Sequence, residues 1–292
     1  MQNWLNMQAD LARLATRQLF FVGGAPRSGT TWLQQILDAH PDISCKGEAL
    51  FQRQLAGPIE AMVQGWRTAL EGKNAGLFGH SGGYPLPTQA DADFLLTHAI
   101  LLALYRQSGG APLAVGEKTP ENVFFFPHLK RLFPAAKCVA IVRDPRDVLT
   151  SAWHFFHQPT AGEDEAEAKQ AFVRLALPSL VEGAKTILGL LQQYHGDVCV
   201  VTYEALQREP QAMVAALYRF LGVSDAPELV ADCVRRTSFA AMTGGRAAGV
   251  VEGRSFFRAG VSGGWRATLS QELNEMILRE LAWSFPHFGH VA

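Results

Sequence analysis

Cys-x-x-Cys spacing is missing from this chain: Cys45, Cys138, Cys199 and Cys233 stand far apart. Cys138 and Cys199 fall in apolar, strand-like stretches, which predicts buried free thiols in a reducing compartment, with a cytoplasmic location expected. An excess of charge of one sign is also missing. The formal net charge is −1 over 292 residues, so no global basic field points to nucleic acid or to a membrane surface. Residues 1–17 lack a basic stretch followed by an apolar core, so no signal peptide is expected. The longest apolar run, Phe94 to Tyr105, is too short to span a bilayer and is broken by Thr97 and His98; it predicts a buried helix. Repeats, linkers and low-complexity tracts are absent as well, which predicts one domain over residues 1–292. Nothing in the sequence assigns an oligomeric state.

What is present is an ordinary globular composition, 48% hydrophobic and 18% charged. Short apolar runs at Leu19–Gly23, Leu113–Gly116, Lys137–Val142 and Val198–Thr202 read as buried parallel strands. Helical segments separate them, which predicts an α/β fold with a central parallel sheet flanked by helices. Thr119-Pro120-Glu121 reads as a helix start, and Pro210 to Leu221 as a helix stopped by Gly222. Leu273, Met276, Ile277 and Leu281 line one face of a last helix. Glu71–Thr88 and the glycine-rich Gly244–Gly264 are expected to be irregular, and Glu163–Glu167 to be a solvated surface.

The most informative segment runs from Phe20 to Leu33. Between an apolar strand and an apolar helix, Gly24 to Gly29 has the G-x-x-x-x-G spacing of a phosphate-binding loop. Glycines let the backbone turn its N–H groups toward an anion, and the helix N-terminus adds a favourable partial charge. Thr30-Thr31 follows where an ATP or GTP hydrolase carries Lys-Ser/Thr, and the basic residue sits inside the loop as Arg27. That displacement points to a different phosphate-bearing donor.

The loop resembles the 5′-phosphosulfate loop of sulfotransferases that use 3′-phosphoadenosine 5′-phosphosulfate (PAPS). Other elements similar to that family follow in order. In Ile141 to Ser151, Arg143 ends a strand and Ser151 follows eight residues later, like the family's 3′-phosphate motif. A planar guanidinium fork suits a phosphate, and a helix hydroxyl supplements it; an ion pair with Asp144 or Asp147 is the structural alternative for Arg143. Thr202-Tyr203-Glu204 resembles the strand-end element near the adenine, and Thr237-Ser238-Phe239-Ala240-Ala241-Met242 resembles the adenine segment. Arg258-Ala259-Gly260 with Gly263-Gly264-Trp265 is similar to a late loop over the 3′-phosphate. Ala259 stands where many cytosolic members have lysine and Gly264 where they have aspartate, so the loss of one ligand contact is expected there. The resemblance covers about residues 18–285 and implies the P-loop NTPase-like sulfotransferase fold, with the donor bound by Arg27, Ser28, Gly29, Thr30, Thr31, Trp32, Arg143, Ser151, Tyr203, Thr237, Phe239, Arg258 and Gly260.

Sulfuryl transfer is an in-line displacement in which charge builds on the leaving oxygen, so cations and positioning are expected to carry catalysis without a metal. The resemblance makes Arg27 the loop cation. His40-Pro41 followed by Glu48 resembles the tyrosylprotein and heparan 3-O branches, where such a glutamate is the base, and Glu117-Lys118-Thr119-Pro120 resembles their Lys-x-Pro segment. Arg27, Glu48 and Lys118 are therefore the implied catalytic residues, with Glu117 the alternative base if Glu48 points away. His154 and His157 are spaced as a metal pair but lack a third ligand, so they are expected to line the acceptor cleft or simply to pack. The acceptor, a small molecule, a peptide or a sugar, should enter between segments 51–105 and 153–177. Trp66, Phe78, Tyr84, Phe155 and Phe156 in those segments read first as core packing and second as an apolar acceptor wall. A P-loop nucleotide kinase and an inactive nucleotide-binding interaction module are the rival readings. The kinase would need a lysine after Gly29, where Thr30 stands.

Overall fold

Each of the four apolar runs is a strand, and a fifth joins them in the computed structural model, which describes residues 2–109, 111–250 and 257–291. The strands are β1 (Gln18–Gly24), β2 (Ile43–Gly47), β3 (Ala114–Lys118), β4 (Lys137–Val142) and β5 (Val198–Thr202). All pair in parallel, in the order β2-β3-β1-β4-β5. Strand β2 escapes the hydrophobic pattern because Lys46 and Gly47 at its end are exposed, leaving only Ile43, Ser44 and Cys45 buried.

Helices α1 (Gln2–Ala15), α2 (Thr30–Asp38), α3 (Gly57–Lys73) and α4 (Gln89–Ser108) accompany the first half of the chain. Then come α5 (Asn122–Leu132), α6 (Pro145–Phe156), α7 (Glu165–Gln193), α8 (Tyr203–Arg208), α9 (Pro210–Leu221), α10 (Pro227–Arg236), α11 (Phe239–Met242) and α12 (Gln271–Leu281). Side chains alternate across the sheet, so successive residues of β1 enter different cores. Phe21 packs with Val115, Cys138 and Ala140 under α4, α5 and α7. Phe20 and Val22 pack with Val139 and Ile141 under α2, α9 and α10. Both phenylalanines are fully buried, each contributing roughly 1.5–3 kcal/mol. Gly116 makes the second core possible: a Cβ there would lie 2.4 Å from the Phe20 ring.

Several local expectations change. Helix α5 starts at Asn122, not at Thr119-Pro120-Glu121. The Thr119 hydroxyl is engaged instead with Glu117 and with the Leu50 N–H, and the Pro120 carbonyl accepts from the Gly24 N–H. Helix α4 is not buried throughout. Leu96, Ile100, Leu101 and Leu104 face the core, while Phe94 is 62% exposed. Part of Glu71–Thr88 is helical: α3 runs to Lys73, and short turns follow at Asn74–Phe78 and Gly79–Ser81. Between Gly244 and Gly264 the described residues are irregular as expected, with residues 251–256 outside the description. Gly222 ends α9 in the left-handed region at φ 75°, as its position predicts. Ser270 caps α12, which buries Leu273, Ile277 and Leu281 and half-buries Met276.

Candidate active site

Parallel strands bring their C-terminal ends to one edge of the sheet, and the loops leaving those ends form the site. The phosphate loop turns between β1 and α2. Arg27 at φ 73° and Gly29 at φ 101° supply left-handed turns, and a Cβ on Gly29 would stand 2.7 Å from the Tyr203 ring. No side chain caps α2, so N–H groups of its first turn are left for an anion.

A cavity of about 280 Å³ opens on this loop. Arg27, Gly29, Thr30, Thr31, Trp32, Arg143, Ser151, Tyr203, Thr237, Phe239, Arg258 and Gly260 all line it. The structure thus gathers residues more than 200 positions apart in the chain. Trp32 donates its ring N–H to the Thr237 carbonyl at 2.9 Å and meets Tyr203 edge-on, a frame suited to a flat base. Ser28 is the exception among the expected donor residues. It does not line this cavity, its side chain is buried, and its N–H donates to the Ala25 carbonyl.

Three guanidinium groups converge at one end. Arg143 donates to the Arg27 and Val261 carbonyls and stacks on Tyr203 at 4.2 Å. It makes no ion pair with Asp144, which pairs with Arg146 at 2.8 Å. Arg27 donates to the Ser151 hydroxyl at 3.3 Å and lies over the Phe155 ring. Burial, together with the nearby Arg143 and Arg258 cations, lowers the Arg27 guanidinium to about 10. Burial and Arg143 lower Arg258 as well. Such a cluster favours an anion between its members.

Asp147 and Gln207 were not legible as site residues. Asp147 accepts from the Gly263 and Trp265 N–H groups at 2.6 and 3.0 Å, holding the late loop. Its carboxylate also lies 3.8 Å from where a Cβ on Gly264 would be. The acid missing from position 264 thus has a counterpart arriving from α6. Gln207 lines the cavity and donates to the Gly260 carbonyl at 2.5 Å. An acid in the first turn of α6 was the available signal for Asp147; Gln207 offered none.

On the Thr31 side of the loop stands a different pair. Gly47 and Lys118 are register partners, so Glu48, one residue on, reaches the end of β3. Lys118 Nζ lies 2.5 Å from Glu48 Oε1 and 3.4 Å from Thr31 Oγ1. Lys118 is 4% exposed and Glu48 48% exposed, so the lysine is fixed while the carboxylate remains open to solvent. Glu117 points to the other face of the sheet. Its carboxylate accepts from the Ala49 N–H, the Thr119 hydroxyl and the Asn122 amide, all within 2.8 Å. It anchors the backbone that carries Glu48.

Burial pushes the Glu117 carboxyl above its ordinary value of 4.5, against the pull of those hydrogen bonds and of Lys118. A raised native value means the folded state holds the proton more tightly, so stability falls as pH rises from the ordinary carboxylate range through the raised value. Glu117→Gln turns an amide toward the Asn122 amide and should cost about 1–3 kcal/mol. It also deletes this pH dependence. Melting curves between about pH 4 and 8 should show the gap between parent and variant narrowing as pH rises.

Other candidates have structural duties. His157 stacks on Trp153 at 3.7 Å and contacts Glu163 at 2.6 Å, so it packs against its own helix and the segment that follows. Among the described residues, no three His, Cys, Asp or Glu side chains gather as a metal site. Core packing is overturned for Trp66, Phe78, Tyr84, Phe155 and Phe156, which are 39–60% exposed.

A family model described as "Sulfotransferase family" matches residues 20–227. A putative protein-tyrosine sulfotransferase of Caenorhabditis briggsae is 28% identical over 73% of this chain and 68% of its own length. Protein-tyrosine sulfotransferase 1 of Danio rerio is 33% identical over 70% of this chain and 53% of its own, so the chain spans about half to two thirds of these relatives. The fold is shared with a mouse sulfotransferase solved with PAP, at TM-score 0.59 and 17% identity over 94% of this chain and 88% of that one. It is shared too with a Mycobacterium avium sulfotransferase, at TM-score 0.57 and 14% identity over 99% and 81%. With the family model covering most of the chain and the phosphate loop, the arginine cluster and the sheet all in place, this chain belongs to the PAPS-dependent sulfotransferase family.

Proposed function

We propose that the chain moves the sulfuryl group of PAPS to a hydroxyl, or an amine, of an acceptor, releasing adenosine 3′,5′-bisphosphate. The observation that carries this reading is the Lys118–Glu48 pair beside Thr31 of the phosphate loop. Glu48 is the base that takes the acceptor's proton, and Lys118 is the cation facing the transferred group. Arg27 offsets charge on the departing nucleotide. The donor's 5′ end belongs at Arg27–Trp32 and its 3′ phosphate at Arg143, Ser151 and Arg258.

Relatives described as protein-tyrosine sulfotransferases support a peptide or small-molecule acceptor. A cytoplasmic setting is part of the proposal, supported by four free cysteines, three of them buried. Transfer of labelled sulfate from PAPS to a panel of phenols, alcohols, sugars and tyrosyl peptides, with and without EDTA, tests it. We expect turnover to survive EDTA, since the cations at the loop are side chains. Complete loss restored by magnesium would favour the kinase.

The 3′ site carries its own prediction. Arg143→Ala should weaken adenosine 3′,5′-bisphosphate by about 1.5–3 kcal/mol, a factor of about 10–100, through lost charge-assisted contacts. Adenosine 5′-phosphate should lose much less. Calorimetry with both ligands measures the difference, and equal losses would mean that Arg143 acts only through its bond to the Arg27 carbonyl.

A further inference from the structure

Arg146, in the first turn of α6, does not line the donor cavity, and its side chain is only 3% exposed. Burying a guanidinium is costly unless its donors are matched, and apolar packing would anchor a helix end without that cost. Here the donors are matched across separate parts of the chain. Nε and Nη2 hold the Asp144 carboxylate at 2.9 and 2.8 Å, and Nη2 also donates to the Val291 carbonyl at 2.5 Å. The guanidinium carbon lies over the Trp265 ring at 4.0 Å and over the Phe285 ring at 5.1 Å. A planar fork can grip a carboxylate and stack on a ring at once, which an ammonium cannot.

Two of these partners adjoin the arginines of the donor cavity. Asp144 directly follows Arg143, and its N–H donates to Glu204 Oε1 at 3.0 Å. Trp265 follows Gly264, where a Cβ would lie 3.6 Å from Arg258 Nη2, so the backbone before the ring packs against that guanidinium. Arg143 and Arg258 carry like charges, and the first works against the charge on the second. Their approach therefore has to be held by the backbone behind them.

We propose that Arg146 is a positioning residue for the donor: from outside the cavity it sets Arg143 and Arg258 at the distance that suits a 3′ phosphate. It does so through Asp144 on one side and Trp265 on the other, and touches neither donor nor acceptor. This rests on the placing of the 3′ phosphate at Arg143, Ser151 and Arg258.

Calorimetric titration of the full chain with adenosine 3′,5′-bisphosphate and with adenosine 5′-phosphate reads the effect. Arg146→Lys keeps a charge beside Asp144 but gives up the fork and the stack. It should weaken the bisphosphate by at least about tenfold, the scale of one lost charge-assisted contact, and the monophosphate by less than about threefold. Trp265→Leu leaves the Asp144 pair in place and should show the same selective loss. Trp265→Phe keeps a ring under the guanidinium and should recover most of it. Arg146→Lys combined with Trp265→Leu should lose less than the product of the single losses, because both remove one shared contact. A residue that only anchored α6 would lower the melting temperature and weaken both ligands alike. Equal losses in the two ligands therefore overturn the proposal, while a parent that prefers the bisphosphate leaves the 3′ site standing. A folded Trp265→Leu with unchanged bisphosphate affinity overturns it too, and decides the matter if Arg146→Lys fails to fold. A parent that binds both nucleotides equally removes the 3′ site itself, and the role of Arg146 with it.

Discussion

Glu48→Gln should lower kcat by about 10²–10⁴-fold, the usual contribution of a general base, while leaving donor affinity within a few-fold of the parent. The loss corresponds to about 2.7–5.5 kcal/mol of transition-state stabilisation. The amide keeps the shape of the carboxylate and can still accept from Lys118, so the pair survives without the basicity. Because the Glu48 side chain is about half exposed, the variant should fold normally. Single-turnover transfer from labelled PAPS to an alcohol or tyrosyl acceptor measures the rate, and calorimetry measures the donor. An already ionised phenol needs less help and should show a smaller drop. Glu117→Gln should lower kcat less, since that carboxylate touches the Ala49 N–H, Thr119 and Asn122 and lies on the far face of the sheet. If Glu117→Gln abolishes turnover in a folded protein and Glu48→Gln does not, the base is Glu117.

Lys118→Met should cost about 10²–10³-fold in kcat, the range seen when one preorganised charge-stabilising donor is removed from a closed site. Methionine fills the buried volume of the lysine stem and leaves Glu48 hydrated at the surface, so stability should change little. Lys118→Arg should rescue only in part. A Cβ on Gly47 would sit 3.0 Å from Lys118 Cε, so the guanidinium has little room beside β2. Glu48→Gln combined with Lys118→Met should lose far less than the product of the two single losses, because the residues act as a unit. Fully multiplicative losses in kcat would show that Glu48 and Lys118 contribute independently despite their 2.5 Å contact.

Much of the donor site was legible because its residues sit in short segments whose spacing is set by local geometry. Gly24 to Gly29 must turn between a strand and a helix, and Arg143 and Ser151 are separated by one strand end and two turns of α6. The parallel sheet was readable from the apolar runs, apart from β2, whose exposed end hides it. Less legible were residues whose role depends on partners far along the chain. Asp147 acts on Gly263 and Trp265, and Gln207 on Gly260, through contacts that no local pattern encodes. Exposure of Trp66 and Phe78 could not be read either, because an aromatic side chain looks the same in sequence whether it meets a core or solvent.

By itself the sequence determined the α/β class, the anion-binding loop with its internal arginine, and the family to which these belong. Local backbone chemistry and hydrophobic period suffice for such features. Only the tertiary structure decided between the two glutamates. In β3, Glu117 and Lys118 are neighbours in the chain, but strand alternation sends them to opposite faces. Register then sets Gly47 against Lys118, so Glu48 meets the lysine and Glu117 is turned inward to hold the backbone. A pairing between strands about 70 residues apart is written in no single segment, because it is settled by how the whole sheet packs.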